Sequence, residues 1–481
     1  MREGAWFVAR RSQGSQRRRL PGAAVASLLF ITAGCATVGP DYKRPVVTPP
    51  EAFRGAPAAD TSNTSIGDAR WATLFQDEPL RELIASVLQE NYDLKIAAAR
   101  ILQAQAQFGI VRSNQFPTIN TEASAQGQRS SVMSSDREAL TVGVAQLGAS
   151  VAWEIDFWGK YRRATESARA QILATEWGRR AVVTSLIGEA ANGYFTLRAL
   201  DLELSIAKRT LETRVESLRL TQVREQGGAT SLVDVRQAEQ LVYGAQSEIA
   251  DLSRQIEQQE NFISVLRGQN PGPIPRGLGL TQQPQPPELP AGLPSALLER
   301  RPDIQQAEQV IVATNAQIGV AKAAYFPQIT LTGSGGLAST ALTALFTGSG
   351  GAWAAAASVV QPIFNAGRTR SQVALAEAQR QEAVAFYHQT IQQAFREVSD
   401  ALVGYRRIRE LRESQELLVQ SAQDARRLAD LRYQGGAASY LEVLDSETRL
   451  FDAELGLVRA QLGELSAFVE IYRALGGGWQ G

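Results

Sequence analysis

The chain has 481 residues, of which 44% are hydrophobic and 20% are charged, and its 49 basic and 49 acidic residues give a formal net charge of zero. An intrinsically disordered chain is excluded, since such chains are poor in apolar residues or carry a high net charge. The basic residues are 44 Arg and 5 Lys. Because no excess of positive charge is available to neutralise phosphates, we predict that the protein binds no nucleic acid.

Residue types with catalytic or metal-binding chemistry are scarce. The sequence contains one histidine, His388, and one cysteine, Cys35, which leaves almost no material for a Cys–His nucleophile pair or a metal site. It also lacks the glycine-rich phosphate loop, the zinc-binding His-Glu-x-x-His helix and the Gly-x-Ser-x-Gly elbow. We therefore predict that the protein is not an enzyme and has no catalytic residue, no metal site and no cofactor.

The first 34 residues have the features of a signal peptide. Five arginines at positions 10 to 19 precede the apolar run Leu20–Ala33, which is too short to span a bilayer. Small residues then lead to Cys35, as in the lipobox of bacterial lipoproteins, and we predict that Cys35 is acylated, with palmitate among its acyl chains. The alternative is a free or buried thiol. The mature chain would begin at Cys35 with a net charge of −5, and residues 35–78 would form an extended segment.

The remainder of the sequence predicts no transmembrane helix, because no later segment contains eighteen consecutive apolar residues. A membrane crossing would therefore require a closed β-barrel.

An internal duplication organises the chain. The run Gln226–Asp234 recurs as Gln434–Glu442, and Phe116–Ile119 recurs as Phe326–Ile329, at offsets of 208 and 210 residues. Two unrelated motifs at nearly one offset indicate a duplicated unit.

The predicted domains follow from this duplication. The first repeat covers 79–268, the second covers 303–475, and a tail covers 476–481. Between the repeats, residues 269–302 hold nine of the 19 prolines, which predicts an extended connection over a surface.

Each repeat is predicted to contain two strands. They lie near 117–127 and 141–157 in the first repeat and near 326–334 and 353–364 in the second, with loops at 128–139 and 334–352. In the first pair polar and apolar residues alternate, as they would in a membrane barrel with an aqueous lumen or in a half-buried soluble sheet. The aromatic residues Trp153 and Phe157 favour the membrane interface. The candidate lumen-facing acids are Glu122, Glu154 and Asp156.

Long helices dominate the remaining sequence. Residues 160–225 contain no proline and repeat apolar residues at helical spacing, which predicts a helix roughly 100 Å long. Shorter helices are predicted near 91–115 and 231–267, and in the second repeat Ile391 to Tyr405 follow a heptad spacing typical of helices packed side by side.

The turns at 226–231 and 434–439 are predicted helix ends, because their glycines can adopt a left-handed cap conformation. The serine of each turn can cap the next helix, together with the acid three residues later, Asp234 or Glu442. These turns are also candidate docking surfaces for a partner. Their candidate residues are Gly227, Gly228, Ser231, Gly435, Gly436 and Ser439.

Four strands are too few for a membrane barrel, since the smallest barrels have eight. Several chains would therefore share one barrel, and strand number alone allows either two or three copies.

The chain resembles the TolC/OprM outer membrane factors, in their NodT-type lipoprotein branch. The resemblance rests on the motifs at Cys35–Tyr42, Trp71–Phe75, Leu293–Ile304, Gly319–Ala321 and Phe326-Pro327 and on both Gly-Gly turns. It implies a homotrimer in the outer membrane of a Gram-negative bacterium, with a twelve-stranded β-barrel continued by a periplasmic α-helical barrel.

The same resemblance implies a function and partners. The protein would be the exit duct of a tripartite efflux pump, passively conducting drugs or other small molecules. Its partners would be a periplasmic adaptor (a membrane fusion protein), a proton-driven (RND) inner-membrane pump and outer-membrane lipids. The matching periplasmic gate residues are Leu441 and Asp445, and the position of the family's arginine is occupied by Thr448, followed by Arg449.

Three alternatives remain open from the sequence. The duct could serve a type I protein secretion system, or the chain could be a coiled-coil envelope lipoprotein without a pore. Asp445 could also be an ordinary solvated helix carboxylate.

Overall fold

The computed structural model describes residues 37–55, 65–130, 140–284, 290–347 and 350–480. The predicted signal peptide and Cys35 lie outside these residues, as does most of the predicted loop 128–139. The first half contains helices α1 (Trp71–Leu74), α2 (Glu78–Glu90), α3 (Tyr92–Ser113), α4 (Lys160–Gln226) and α5 (Leu232–Leu266), with strands β1 (Thr118–Ser130) and β2 (Leu140–Glu154). The second half contains helices α6 (Pro294–Arg300), α7 (Pro302–Ala323), α8 (Arg368–Gln434) and α9 (Tyr440–Ala474), with strands β3 (Gln328–Ser339) and β4 (Gly351–Val360).

The described chain forms two compact units. The first unit draws on residues 112–164 and 318–373, and at its centre lies a four-stranded antiparallel sheet in the order β1-β2-β3-β4. Thr118 pairs with Ala152, which in turn pairs with Thr332 on the next strand. Within the described residues β1 and β4 each pair with one strand only, so each leaves one edge open.

The predicted alternation of the first strand pair is confirmed by this register. Side chains two residues apart share a face of a sheet, and Glu122 lies opposite Gly148 while Ile119 lies opposite Val151. One face of the sheet is therefore polar and the other apolar. The polar face carries Thr118, Asn120, Glu122, Ser124, Gln146, Ser150, Thr330 and Thr332, and the apolar face carries Ile119, Val151, Trp153, Leu331, Trp353 and Val359.

Several predicted strand ends were wrong. Strand β1 runs to Ser130 instead of ending near 127, and β4 spans Gly351–Val360 instead of 353–364. Residues 334–339, interpreted as a loop because they are rich in Gly and Ser, extend β3, where Ser339 pairs with Ala145. The backbone of small residues pairs as well as any other, so composition alone missed the extension. Strand β2, predicted to reach residue 157, ends at Glu154. Asp156 and Phe157 are therefore not strand residues.

The second unit contains most of the helical residues, within 41–111, 165–317 and 374–481. Its core is a large cluster of buried side chains, whose largest fully buried members include Tyr194, Ile187 and Ile311, and a smaller cluster surrounds Tyr440. The heptad prediction for the second repeat is confirmed, because Ile391, Val398 and Leu402 are buried in this cluster.

Two antiparallel helix pairs, joined by the predicted turns, run through the second unit. We call α4 and α5 the first hairpin, and α8 and α9 the second hairpin. In the second hairpin, Arg432 near the end of α8 pairs with Glu442 near the start of α9, and Arg412, further back on α8, pairs with Glu464, further along α9. None of the helices in the described part of the chain combines the length and apolar character that a bilayer-spanning helix needs.

The two segments that were predicted to be extended, 269–302 and 35–78, contain short helical turns. Residues 269–302 include a short helix, α6, which begins at Pro294 because proline is well tolerated at the first position of a helix. The described residues before 79 likewise include α1 and a 3₁₀ turn, Ile66–Asp68.

Two of the sequence motifs have a clear packing role. Gly39 has a φ of 109°, and a Cβ there would lie 2.5 Å from the Cα of Gly319, so the backbone of the N-terminal segment crosses α7 at a contact that excludes side chains. In the Arg-Arg-Pro-Asp motif, Arg301 is buried and donates hydrogen bonds to Asp303, Glu397 and the carbonyl of Ala474.

Candidate functional site

The first tip turn ends α4 with a Schellman motif. The amide of Ala229 donates to the carbonyl of Arg224 at 2.8 Å, and the amide of Gly228 donates to that of Glu225 at 2.9 Å. Gly228 has a φ of 69°, a left-handed conformation that glycine adopts without the strain of a Cβ. The turn therefore stops the helix and reverses the chain within five residues.

The capping prediction is confirmed in this first turn. The Ser231 hydroxyl accepts a hydrogen bond from the Asp234 amide at 3.3 Å, and the Asp234 carboxylate accepts one from the Ser231 amide at 3.0 Å. Hydrogen bonds from Thr230 and from the backbone of Ser231 lower the pKa of Asp234 below its usual range. α5 thus begins with a complete capping box.

The second tip turn has the same backbone but a different cap. Gly436 has a φ of 69°, and the Ala437 amide donates to the Arg432 carbonyl at 2.9 Å. The capping prediction for Ser439 is wrong, because no amide in the described chain donates to its side chain. Glu442 instead accepts from Arg432 at 3.0 Å, since its longer side chain reaches back to α8.

Both tips expose apolar side chains beside the glycines. Leu232 and Val233 are 56% and 63% exposed after the first turn, and Leu441 is 60% exposed after the second. The six predicted docking residues are themselves exposed. The geometry thus places the predicted tip residues at two short, partly apolar helix ends.

An aromatic cluster supports the second tip. Tyr440 is buried beside Tyr433, with ring centroids 5.3 Å apart, and the guanidinium of Arg224 lies 4.5 Å from the centroid of the Tyr433 ring. Burial raises the pKa of Tyr440 to about 12. Sequence reasoning missed this cluster, although the change from Leu232 to Tyr440 at the matching position was a visible signal.

The predicted gate residues lie at the start of α9. Leu441 and Asp445 are both exposed in the single chain. The Nε atom of Arg449 donates to Asp445 at 2.7 Å, four residues along the helix, while the Thr448 hydroxyl donates to the carbonyl of Leu444 at 2.9 Å. Asp445 therefore has an arginine partner one position later than the family pattern, and its gating role stays a prediction.

A groove of about 640 Å³ runs beside Asp445, between α8 and α9. Small side chains such as Ala425 and Ala453 line it, and its charged members include Glu442, Asp445 and Arg449.

The three predicted lumen-facing acids differ in their surroundings. Glu122 lies on the polar face of β1. Glu154 accepts from Lys160 at 3.0 Å and from Tyr161 at 2.7 Å. Asp156 caps the start of α4, because it accepts from the amides of residues 161 and 162 at 3.2 and 2.9 Å. The assignment of Asp156 to the polar face of a strand is therefore wrong, and a lumen-facing position remains a prediction for all three acids.

The described residues nearest to Cys35 contact the chain immediately before α4. The Val38 amide donates to the carbonyl of Trp158 at 3.0 Å, and Thr37 lies against Gly159. A lipid attached at Cys35 would thus begin two residues from a fixed point.

Buried acids on α9 are functional candidates that sequence reasoning missed. Glu447 and Glu464 are both buried, and each faces arginines of α8. The available signal was their position on the apolar stripe of α9. No group of three or more His, Cys, Asp or Glu side chains within the described ranges could hold a metal ion.

Comparison with known proteins identifies the family. The sequence model of the outer membrane efflux protein family matches residues 83–269 and 293–477. The chain is 36% identical over 462 residues to the probable efflux pump outer membrane protein TtgC of Pseudomonas putida, covering 95% of each chain. It is 34% identical over 453 residues to the cation efflux system protein CusC of Escherichia coli, covering 93% of this chain and 96% of CusC.

A solved structure of an outer membrane channel has the same fold. The open state of the MtrE outer membrane channel of Neisseria gonorrhoeae superimposes with a TM-score of 0.82 at 31% identity, covering 92% of this chain and 99% of MtrE. The chain belongs to the outer membrane efflux protein family. The predicted TolC-like fold, the outer-membrane location and the role as an efflux channel component are thereby confirmed.

Proposed function

We propose that this protein is the exit duct of a tripartite efflux pump and conducts small organic molecules passively across the outer membrane. The observation that carries this proposal is the pair of long hairpins, each ending in a rigid, exposed Gly-Gly turn, in a chain that also folds a sheet with one polar face. A proton-driven inner-membrane pump supplies the energy, and the duct itself catalyses no reaction.

Three copies form the working channel in this proposal. In its described part, each chain provides four strands with an open edge on β1 and another on β4, and membrane sheets must close to satisfy their edges. Three copies give roughly twelve strands, an even number within the range of known barrels. The polar face carrying Glu122 would line the lumen, and the apolar face carrying Trp353 would contact lipid.

A periplasmic adaptor docks on the tip turns. The exposed Leu232, Val233 and Leu441 supply apolar contact area, and the Schellman caps keep it rigid, which lowers the entropy cost of binding.

The periplasmic end is gated by Leu441 and Asp445. In a trimer, three copies of Asp445 would approach one axis, and the Arg449 partner of each would balance part of their repulsion. We expect Asp445→Ala to raise the channel conductance and to change drug sensitivity. Asp424→Ala is the matched control, since Asp424 is also an exposed acid paired within the second hairpin, with Arg427. Unchanged conductance in Asp445→Ala would remove its gating role.

Cation efflux is the second candidate function, because CusC belongs to a cation efflux system. We favour organic molecules, since the whole chain has two methionines, Met1 and Met133, and Met1 lies in the predicted signal peptide. Soft thioether ligands are thus few.

The docking surface can be tested with one pair of variants. Val233 and Val265 are each 63% exposed and lie near opposite ends of α5. In cells whose own gene is deleted, we expect Val233→Asp to restore dye efflux poorly and Val265→Asp to restore it fully, at equal protein levels. Equal efflux by both variants would contradict docking at the tips.

Deletion of the gene distinguishes an efflux channel from a type I secretion channel. An efflux channel predicts that the deleted strain accumulates the dye and becomes sensitive to drugs. A type I secretion channel predicts instead that a secreted protein disappears from the medium while dye efflux is unchanged.

A further inference from the structure

Charged residues are rare in the four-stranded sheet of the first unit. Residues 323–367, which include β3 and β4, contain no charged residue. In the described strands the charged residues are Glu122 and Arg129 on β1 and Glu154 at the end of β2. An odd number of positions separates Arg129 from Glu122, so the two side chains lie on opposite faces. The charges on the polar face of these strands are therefore Glu122 and Glu154.

Glu122 differs from the other acids of this region because no cation neutralises it. Glu154 accepts a hydrogen bond from Lys160 at 3.0 Å, and Asp156, just beyond the strand, pairs with Arg162 at 3.4 Å. Glu122 is exposed, and no Lys or Arg in the described part of the chain pairs with it. The polar face of the sheet thus has an unbalanced negative charge at Glu122.

The packing of the strands explains why no neighbouring strand supplies a cation. Glu122 lies opposite Gly148, which pairs with Gly336, which in turn pairs with Ala352. A Cβ at Gly336 would lie 2.5 Å from the Cα of Gly148, so a larger side chain does not fit there. The carboxylate of Glu122 borders a cavity of about 290 Å³. The other polar side chains that line this cavity are uncharged, and they are Ser124, Gln146, Ser150 and Ser334.

The duplication places this charge in one repeat only. Thr332 matches Glu122 at the offset of 210 residues, and it lies on the same face of the sheet. Neither strand pairing nor the repeat therefore requires a carboxylate at this position. In the proposed barrel of three copies, three such carboxylates would lie at one level.

The size of the proposed barrel brings these carboxylates close to its axis. Twelve strands about 4.8 Å apart and tilted by about 40° form a ring roughly 12 Å in radius. A glutamate side chain extends several ångströms inward from its strand. Each carboxylate would then lie within about one Debye length of the axis, about 8 Å at physiological salt. An ion on the axis would therefore interact with all three.

We propose that Glu122 sets the charge preference of the membrane barrel, which admits positively charged solutes more readily than negatively charged ones. The three carboxylates attract cations into the lumen and repel anions. This inference rests on the proposed channel function and names the class of substrate that the barrel favours. The predicted gate has no such unbalanced charge at Asp445, since Arg449 pairs with it at 2.7 Å.

The test is the reversal potential of the purified full-length trimer in planar lipid bilayers under a KCl gradient, which gives the ratio of K⁺ to Cl⁻ permeability. We expect a ratio of about three or more for the wild type and for Glu122→Asp, and roughly half that ratio or less for Glu122→Gln. Ser124→Ala is the matched control, because it alters the next position on the same face without changing the charge. It should keep the wild-type ratio.

An added charge and added salt supply two further readouts. Thr332→Glu places a second set of carboxylates on the polar face and should raise the ratio, and it tests the proposal even where Glu122→Gln fails to assemble. In 1 M KCl the Debye length falls to about 3 Å, so the ratios of the wild type and Glu122→Gln should converge. A mere change in barrel shape would not depend on salt in this way.

The outcomes separate the role of Glu122 from the channel function. A conducting wild type whose ratio is unchanged in Glu122→Gln or in Thr332→Glu would overturn this role alone, as would an equal decrease in Ser124→Ala. It would also be overturned by a larger decrease in Asp445→Asn combined with Arg449→Gln, which together remove a neutral pair at the predicted gate. The absence of conductance in the wild-type trimer would overturn the channel function and this inference with it.

Discussion

The two Gly-Gly turns allow a sharp test of how the tips are held. Gly228 and Gly436 each have a φ of 69°, and within the described chain a Cβ added at either would meet nothing within 4 Å. Replacement by alanine therefore adds no clash. Its only cost is the strain of holding an alanine in the left-handed backbone conformation, about 1 kcal/mol per turn.

This cost translates into local opening of the cap. The amides of Ala229 and Ala437 donate across the two turns, to Arg224 and Arg432, and they exchange with solvent when the turn opens. In Gly228→Ala and in Gly436→Ala, we expect the exchange rate of the amide in the altered turn to rise about fivefold, since 1.4 kcal/mol corresponds to a factor of ten.

The assay is hydrogen–deuterium exchange of the intact protein, with peptides that cover each turn. The matched controls are Gly227→Ala and Gly435→Ala, where φ is not in the left-handed region and the added Cβ would make ordinary contacts at 3.5 and 3.4 Å. These controls should exchange no faster than the wild type. Equal acceleration in the controls, or none at Gly228 and Gly436, would refute the assignment of the second glycine of each pair to the left-handed cap.

Three further predictions concern the body of the protein. Gly319→Ala would place a Cβ 2.7 Å from a carbonyl oxygen of the N-terminal segment, so limited proteolysis should cut that segment faster, and an unchanged cleavage rate would contradict the crossing. Tyr194→Phe removes a hydroxyl that donates to the buried Asp77 at 2.9 Å. It should lower the free energy of unfolding, measured by denaturant titration, by about 2 kcal/mol. A decrease below about 0.5 kcal/mol would show that Asp77 does not need this hydrogen bond. Trp479→Ala removes the edge-on contact with Trp177, at 5.4 Å between ring centroids, and should make the C-terminal tail accessible to carboxypeptidase, while a protected tail would contradict this anchor.

The long helices were predictable because their signals are local. The predicted range 160–225 differs by one residue from α4, since a proline-free stretch with apolar residues at helical spacing leaves few alternatives. The end of that helix was equally visible, because the Gly-Gly pair supplies the left-handed residue of a Schellman cap.

The errors arose where the deciding contact was not local. Residues 334–339 were interpreted as a loop from their Gly and Ser content, and they form a strand because β2 pairs with them. Ser439 matches Ser231 in sequence, yet Glu442 pairs with Arg432 instead of completing a cap. In each case a partner from another element decided the structure, and spacing along the chain does not contain that information.

The candidate site could be predicted only in part, because some of its contacts are also not local. The tip glycines follow from a repeated motif in the sequence, whereas the Leu441–Asp445 pair came from the resemblance to the family. The buried Glu447 and the buried Arg214 were missed because they lie in different repeats, so the burial of both residues depends on how the two hairpins pack. The Glu447 position on an apolar stripe was the one visible sign.

The central claim is that three lipid-anchored copies of this chain share one channel in the outer membrane. It is tested most directly by native mass spectrometry of the protein extracted from outer membranes in mild detergent. We expect one species with three times the mass of an acylated chain that begins at Cys35. A monomer, or a chain without acyl groups at Cys35, would contradict it.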